Sequence, residues 1–287
     1  MRVLIIGGDG MLGHQLFRHL GARHEAHVTL RKSLGEYPGA IFSSTNATGR
    51  VDVRDADTLR GVLAAFRPDA VVNAAGIVKQ RDEASAAAAS IEVNALFPHR
   101  LLAMCREVDA YLIHFSTDCV FSGRKGAYTE TDAPDAGDLY GRSKLLGEVA
   151  APGCLTLRTS MIGYELSRKT GLLEWFLAQK GKVPGYRRAV FSGLTTPEHA
   201  RMVELVLRQS PGKSGIYHVS GEAIAKFDLL RMIARQFGLA TEVVPDDAVA
   251  IDRSLDSSRF REAFGYRAPS WEEMIAELAR FATGSRT

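Results

Sequence analysis

The sequence is short of the features that mark several large protein classes. Its 287 residues include three cysteines, Cys105, Cys119 and Cys154, an odd number with no C-x-x-C pairing. Neither a disulfide framework nor a thiolate zinc site is suggested. No run approaches the roughly 18 apolar residues that a membrane helix needs. The apolar run at the start, Val3 to Ile6, is also shorter than the about 7–15 residues of a secretory leader. No membrane association is expected, and reduced thiols in a cytoplasmic protein are. Charge bias is missing too: 36 basic and 33 acidic residues leave +3, without runs of like charge, so nucleic acid is not an implied partner.

What remains is ordinary globular composition, 46% hydrophobic and 24% charged, in a chain that at about 150 residues per domain makes roughly two units. Short apolar runs alternate with amphipathic stretches: Val3–Ile6, Met11–Leu20, Ala26–Leu30, Asp57–Phe66, Ala70–Asn73, Ala86–Val108, Tyr111–Phe115, Tyr140–Val149 and Leu155–Leu157. That rhythm predicts an α/β fold, a Rossmann-type doubly wound parallel sheet over residues 1–158, with ligands at the carboxyl ends of the strands. Beyond residue 158 the pattern loosens into helices at 171–179, 197–209, 227–237, 257–264 and 271–281. A smaller C-terminal α/β substrate lobe, mainly 159–287, is expected, with some segments returning to the sheet. Residues 122–137, rich in Gly, Pro and acids, read as a long functional loop.

Gly7-x-x-Gly10-x-x-Gly13 follows the first strand and opens the first helix. Glycine there permits a sharp turn and close approach of backbone amides to a pyrophosphate, and the helix N-terminus adds partial positive charge. After the second apolar run, where an acid would bind a ribose hydroxyl, stand Arg31 and Lys32. Two cations suit a 2′-phosphate, so NADP(H) is favoured over NAD(H), the alternative being a solvated basic loop. Tyr140 and Lys144 lie one helical turn apart, some two dozen residues after Ser116-Thr117-Asp118. A nearby ammonium lowers the pKa of a phenol toward usefulness as an acid or base, and the Thr117 hydroxyl could polarise a carbonyl. His24 and His27 lack an acidic partner spaced for a metal, and no metal is expected.

These pieces resemble the extended short-chain dehydrogenase/reductase family, and within it the dTDP-4-dehydrorhamnose reductase group. The resemblance rests on GGDGMLG at 7–13, DVRD at 52–55, NAAG at 73–76, Asn94, FSTDCVFSGRKGAYTETD at 115–132, LYGRSKLLGE at 139–148, LRTS at 157–160 and RSLDSSRF at 253–260. It implies Thr117, Tyr140 and Lys144 as the catalytic triad. It also implies Met11 and Leu12 in the cofactor turn, Asp52 and Val53 at the adenine, Asn73, Ala74, Ala75 and Gly76 along the cofactor, and Asn94 near the proton relay. The implied reaction is NADPH-dependent reduction of the 4-keto group of a nucleotide-linked 4-keto-6-deoxyhexose, in surface polysaccharide sugar biosynthesis. Lys144 would lower the Tyr140 pKa.

Two departures shape the substrate. Cys119 stands where related 4,6-dehydratases carry Glu, which disfavours dehydration. An epimerase-reductase carries cysteine there with a partner histidine, but this chain has no His between 119 and 198; Cys119 is read as a packing residue. Met161 follows Ser160 where the rhamnose-pathway reductases carry Trp, which keeps a UDP-2-acetamido-4-keto-6-deoxyhexose, giving a quinovosamine-type product, as an alternative substrate. Arg253 is a candidate for substrate pyrophosphate and Lys79 for the sugar pocket, each against a reading as surface charge. The rival of another class is a non-catalytic regulatory subunit, such as the methionine adenosyltransferase partner that resembles this group. A homodimer through the Ala86–Cys105 helix is left open.

Overall fold

A strand buried between two helix layers must be apolar where it is covered, and β1 (Arg2–Ile6) is so from Val3 onward. Val3 and Ile5 enter one core and Leu4 and Ile6 the other, all fully buried. The computed structural model describes residues 1–37, 41–78, 86–167, 169–209 and 212–284. The chain continues through α1 (Met11–Leu20), β2 (Glu25–Thr29), β3 (Ala47–Thr48), α2 (Ala56–Phe66), β4 (Ala70–Asn73), α3 (Ala87–Ser90), a π-helical stretch Ile91–Leu96, α4 (Phe97–Glu107), β5 (Tyr111–Thr117), α5 (Leu139–Leu146) and β6 (Cys154–Thr159). There follow β7 (Met161–Ile162), α6 (Leu172–Leu177), β8 (Lys182–Phe191), β9 (Leu194–Thr195), α7 (Thr196–Gln209), β10 (Gly215–His218), β11 (Ile224–Ala225), α8 (Lys226–Gln236), β12 (Glu242–Asp252), α9 (Ser258–Phe264) and α10 (Trp271–Gly284).

Seven strands in the order β10-β6-β5-β4-β1-β2-β3 make the main sheet, every pairing parallel. This is the doubly wound Rossmann-type fold that the rhythm predicts. Helix α1 lays Leu12, Leu16, Phe17 and Leu20 on one face, a spacing that keeps them on one side of a 3.6-residue turn. On the opposite face α2 and α4 supply Leu59, Val62, Leu63, Leu101 and Leu102. At about 1.5–3 kcal/mol per fully buried side chain, these two layers are what hold the strand ends in place.

The second half of the chain is interleaved with the first. Helix α7 packs along α1, and β10 joins the sheet beside β6. Outside the main sheet, β8 is flanked by parallel β12 and antiparallel β11, with α8 packed across them, and β7 pairs with β9. Residues 122–137 form the expected loop, pinned by Tyr128, whose backbone pairs with the segment around Leu255 and whose ring stacks on Phe121 at 4.2 Å. Among the described residues no helix is long and apolar enough to cross a membrane.

Candidate active site

The glycine turn is shaped by contacts that leave no room for side chains. Gly7 takes φ +84° and its backbone lies against Ala75, where a Cβ would stand 3.0 Å from that residue's Cα and N. A Cβ on Gly13 would stand 2.0 Å from the Gly7 carbonyl oxygen. The Gly10 N–H donates to that carbonyl at 3.1 Å, while the Gly7 and Gly8 amides donate to Thr29 Oγ1 and O at 3.2 and 2.9 Å. Helix α1 starts after Gly10 with no side-chain cap and no acid in its first turn. First-turn amides without intrahelical partners, at the positive end of a helix dipole, suit an anionic group. The cradle therefore fits a dinucleotide diphosphate. Met11 and Leu12 form the start of that helix, Leu12 buried in the core and Met11 with its Cε near Gly171.

Arg31 and Lys32 lie exposed in the loop after β2. The Tyr37 hydroxyl accepts from the Lys32 amide and donates to Asp9 Oδ2, both at 2.9 Å, tying this loop to the glycine turn. Lys32 Nζ lies 3.9 Å from Glu36. The Asp52 carboxylate is held by the Arg54 guanidinium at 2.5–3.1 Å, which keeps its pKa below the usual carboxylate value, and Arg31 adds to the effect. Val53 packs against the second core.

At the end of β4, Asn73 is buried, its Oδ1 accepting from the Ala75 amide at 3.2 Å, and Ala74 N–H donates to Ile6 O at 3.0 Å. Ala74, Ala75 and Gly76 thereby sit beside the Gly7 turn. Asn94, in the π-helical stretch, clamps the next residue of this segment: Oδ1 accepts from Ile77 N and Nδ2 donates to Ile77 O, both at 2.9 Å. Nδ2 also lies 3.3 Å from Ser143 Oγ on α5. The structure thus places Asn94 as a strut between the NAAG segment and the helix of Tyr140. Lys79 lies outside the described residues.

Strand β5 and helix α5 bring the three candidate catalytic side chains together. Asp138 caps α5 by accepting from Gly141 N at 2.8 Å, and Gly141 lets the helix approach the strand end, since a Cβ there would lie 2.2 Å from the Cys119 carbonyl oxygen. Tyr140 and Lys144 then both reach β5: the Tyr140 phenol lies near enough to Thr117 for its hydroxyl to favour the phenolate, and Lys144 Nζ donates to Phe115 O at 2.6 Å. Thr117 Oγ1 also accepts from Cys119 N and donates to Asp118 Oδ1, each at 3.1 Å. Burial raises the Tyr140 phenol, with Cys119 adding to it and Thr117 opposing. Burial likewise lowers the Lys144 ammonium to about 8, Glu148 opposing. The expected lowering of Tyr140 by Lys144 is not what this arrangement shows; the lysine spends its proton on a carbonyl, and burial dominates at both groups.

Around this centre, burial raises the Asp118 carboxyl while the fields of Arg253 and Lys226 oppose it. Arg253, half-buried, donates from Nε to Phe121 O at 2.9 Å. Burial pushes the Cys119 thiol up to about 12. His199, the first histidine after Cys119 on the C-terminal side, is fully buried, its nitrogens at 3.0 Å from Thr159 Oγ1 and Thr195 O. Met161 opens β7 beyond the end of β6, half-buried. Sequence reasoning missed a buried chain below the site. Glu148 accepts from Ser116 Oγ at 2.6 Å and from Arg158 Nε and Nη2 at 2.8 and 2.7 Å. Arg158 Nη1 in turn meets His218 Nε2 at 3.2 Å. The available signal was polar residues at alternate positions, His114 and Ser116, in an otherwise apolar parallel strand.

Known proteins share this architecture. A model of the family described as the RmlD substrate binding domain matches residues 1–283. A probable low-salt glycan biosynthesis reductase of Haloferax volcanii is 28% identical over 302 residues, covering 97% of each chain. Methionine adenosyltransferase 2 subunit beta of Danio rerio is 27% identical over 268 residues, covering 85% of this chain and 76% of that one. Among solved structures, a hypothetical dTDP-4-dehydrorhamnose reductase from Sulfolobus tokodaii has a TM-score of 0.77 at 28% identity, covering 95% of this chain and 98% of its own. Two others share the fold at lower identity. The Bacillus anthracis dTDP-4-dehydrorhamnose reductase in complex with NADP has TM-score 0.78, 19% identity and coverages of 96% and 98%. Bordetella bronchiseptica WbmG in complex with NAD has 0.79, 22%, and 99% and 94%.

Proposed function

The chain belongs to the RmlD substrate binding domain family, and on that premise we propose that it is a nicotinamide-dependent sugar-nucleotide reductase. It reduces the 4-keto group of a nucleotide-linked 4-keto-6-deoxyhexose, with NADPH preferred. The observation that carries the reading is the convergence of Tyr140 and Lys144 on the end of β5. In the sheet, β5 is separated from the strand of the glycine turn by β4 alone, which at about 4.8 Å per strand is a span of roughly 10 Å, within reach of one dinucleotide.

The glycine turn and the first turn of α1 would hold the diphosphate, Arg31 and Lys32 a 2′-phosphate, and Asp52, Val53 and residues 73–76 the adenosine and nicotinamide halves. A bound nicotinamide cofactor would supply hydride to the carbonyl carbon. Thr117 would turn its hydroxyl proton from Asp118 to the substrate oxygen as charge grows on it, and the Tyr140 phenol would deliver the proton there. A buried phenol with a raised pKa holds its proton until an oxyanion claims it, which suits a proton donor. Lys144, bonded to Phe115 O, would meet the ribose hydroxyls. Arg253, whose field together with that of Lys226 reaches Asp118, would face the substrate diphosphate, Met161 would form part of the sugar wall, and the second lobe, mainly residues 159–287, would carry the sugar nucleotide. A cytoplasmic setting is part of the proposal, supported by three free thiols.

An epimerase-reductase gains no support from the residues a proton abstraction at C3 or C5 would need. The Cys119 thiol is raised to about 12 by burial, and both His199 nitrogens are engaged. Against a purely regulatory role stands the retention of Thr117, Tyr140 and Lys144 in one constellation. The test is loss of NADPH absorbance with a panel of dTDP-, UDP- and GDP-linked 4-keto sugars in deuterated water. Oxidation with one nucleotide class and no deuterium at C3 or C5 is expected. Tight cofactor binding with no turnover on any member would leave the regulatory reading in its place.

A further inference from the structure

The His114 imidazole plays no part in the chemistry above, yet it is fully buried at the centre of the sheet. It sits on β5 directly opposite Asn73 of β4, one residue before the carbonyl that receives the Lys144 ammonium. Its Nδ1 lies 3.0 Å from Asn73 Nδ2. Its Nε2 is buried without a partner among the described residues.

The protonation of this pair follows from one fixed donor. The Ala75 backbone N–H points at the Asn73 side chain, so the atom facing it at 3.2 Å must be the amide oxygen. The other end, facing His114, is then the NH2 group, which can only donate. His114 Nδ1 must accept, which leaves the ring proton on Nε2 and the ring neutral. Burial, with the neighbouring Lys144 ammonium, holds His114 well below its usual pKa.

From this geometry we propose that His114 is a positioning residue for cofactor binding. As a neutral, Nε2-protonated acceptor it fixes the orientation of the Asn73 amide, and through it the 73–76 turn on which Gly7 rests. The lever is the amide flip. Without an acceptor at His114, Asn73 Nδ2 is left buried and unpaired, and rotating the amide to relieve it turns an NH2 group onto the Ala75 N–H. Once the amide rotates, the Ala75 backbone loses its anchor, and Ala75 packs 3.0 Å from the Cβ position of Gly7, so the displacement passes to the glycine turn.

The inference rests on the proposed function only in taking that turn as the cofactor cradle, and its test needs no sugar substrate. Two variants are compared. His114→Asn keeps an acceptor where Nδ1 was, because Oδ1 is attached to Cγ as Nδ1 is. His114→Leu removes it at similar bulk. The expected result is an NADPH Kd, from fluorescence titration, raised about tenfold in His114→Leu, the scale set by an unpaired buried donor. His114→Asn should stay within about twofold of wild type, and kcat at saturating cofactor should change little in either variant. In the cofactor-free wild type, 15N shifts should report the Nε2-protonated tautomer, a readout that survives if His114→Leu fails to fold. A wild-type Kd in His114→Leu, no rescue by Asn, or a proton on Nδ1 would each overturn it. A wild type that binds neither NADPH nor NADH would instead sink the proposed function, and the cofactor claim with it.

Discussion

Adding one methyl group at Gly13 asks most directly whether the turn is a cofactor cradle. The new Cβ would lie 2.0 Å from the Gly7 carbonyl oxygen, against an ordinary contact of 3.4 Å, so α1 and the turn must separate by about 1.4 Å. The obstacle is backbone, not the end of a flexible side chain, and the Gly10-to-Gly7 hydrogen bond at 3.1 Å spans the same gap. Overpacking of this kind costs about 1–3 kcal/mol, or roughly 2–10 °C in Tm for a chain of this size. The Kd for NADPH should rise at least about tenfold, because a shift of that size moves the α1 amides off the diphosphate. Gly61, inside α2 with nothing within 4 Å of its Cβ position, is the control: Gly61→Ala should raise stability by about 0.5–1 kcal/mol and leave Kd alone. Titration calorimetry and a thermal scan measure both effects. Gly13→Ala with wild-type NADPH affinity would refute the assignment of this turn.

Tyr140→Phe should lose about 100-fold or more in kcat while its NADPH Kd stays within twofold; stopped-flow with a competent 4-keto sugar decides, and near-normal turnover removes the phenol from the proton step. Replacing Arg31 and Lys32 by Ala should raise KM for NADPH and leave NADH unaffected, and an unchanged preference ratio would show that neither cation reads a 2′-phosphate. The Glu148–Arg158 pair has side chains 3% and 4% exposed; breaking it in Glu148→Ala should cost about 3–5 kcal/mol, whereas Glu148→Leu/Arg158→Met should recover most of that, and denaturant unfolding of the two variants checks the order. Lys144 has a folded pKa lowered from 10.5 to about 8, so between those values the unfolded chain binds more protons and stability rises with pH. The penalty, about 3 kcal/mol, is fully present below pH 8 and is relieved toward pH 10, so wild type should gain on Lys144→Met across that window. Parallel melting curves would contradict the burial assigned to the ammonium.

The residues that form the turn, Gly7 to Gly13, and the pair Tyr140 and Lys144 were legible in the sequence because each acts locally: a strand end feeding a helix, or two side chains one turn apart. Strands β1, β2, β4, β5 and β6 were legible for the same reason, each marked by a short run in which apolar residues predominate. Strands β8 and β12 were not. Lys182–Phe191 and Glu242–Asp252 carry Pro184, Pro245, charges and no steady alternation, and prolines argue against a strand; they hold as strands because they pair with each other across some 60 residues under α8. The same distance hid the polar chain from Ser116 to His218 and the Asn73–His114 contact, since register between strands is set by three-dimensional pairing. The π-helical stretch that aims Asn94 at Ile77 left no local mark either.

The return of β10 to the main sheet governs how the protein can be dissected. A polypeptide cut after residue 158 would lose both the neighbour of β6 and the α7 layer over α1, leaving a bare strand edge beside an uncovered leucine face, the combination that drives aggregation. Because the backbone crosses between the main sheet and the sheet of β8, β11 and β12 more than once, no single linker can act as a pivot. Moving one sheet against the other would have to flex several crossings at once, so the two sheets should keep their mutual orientation.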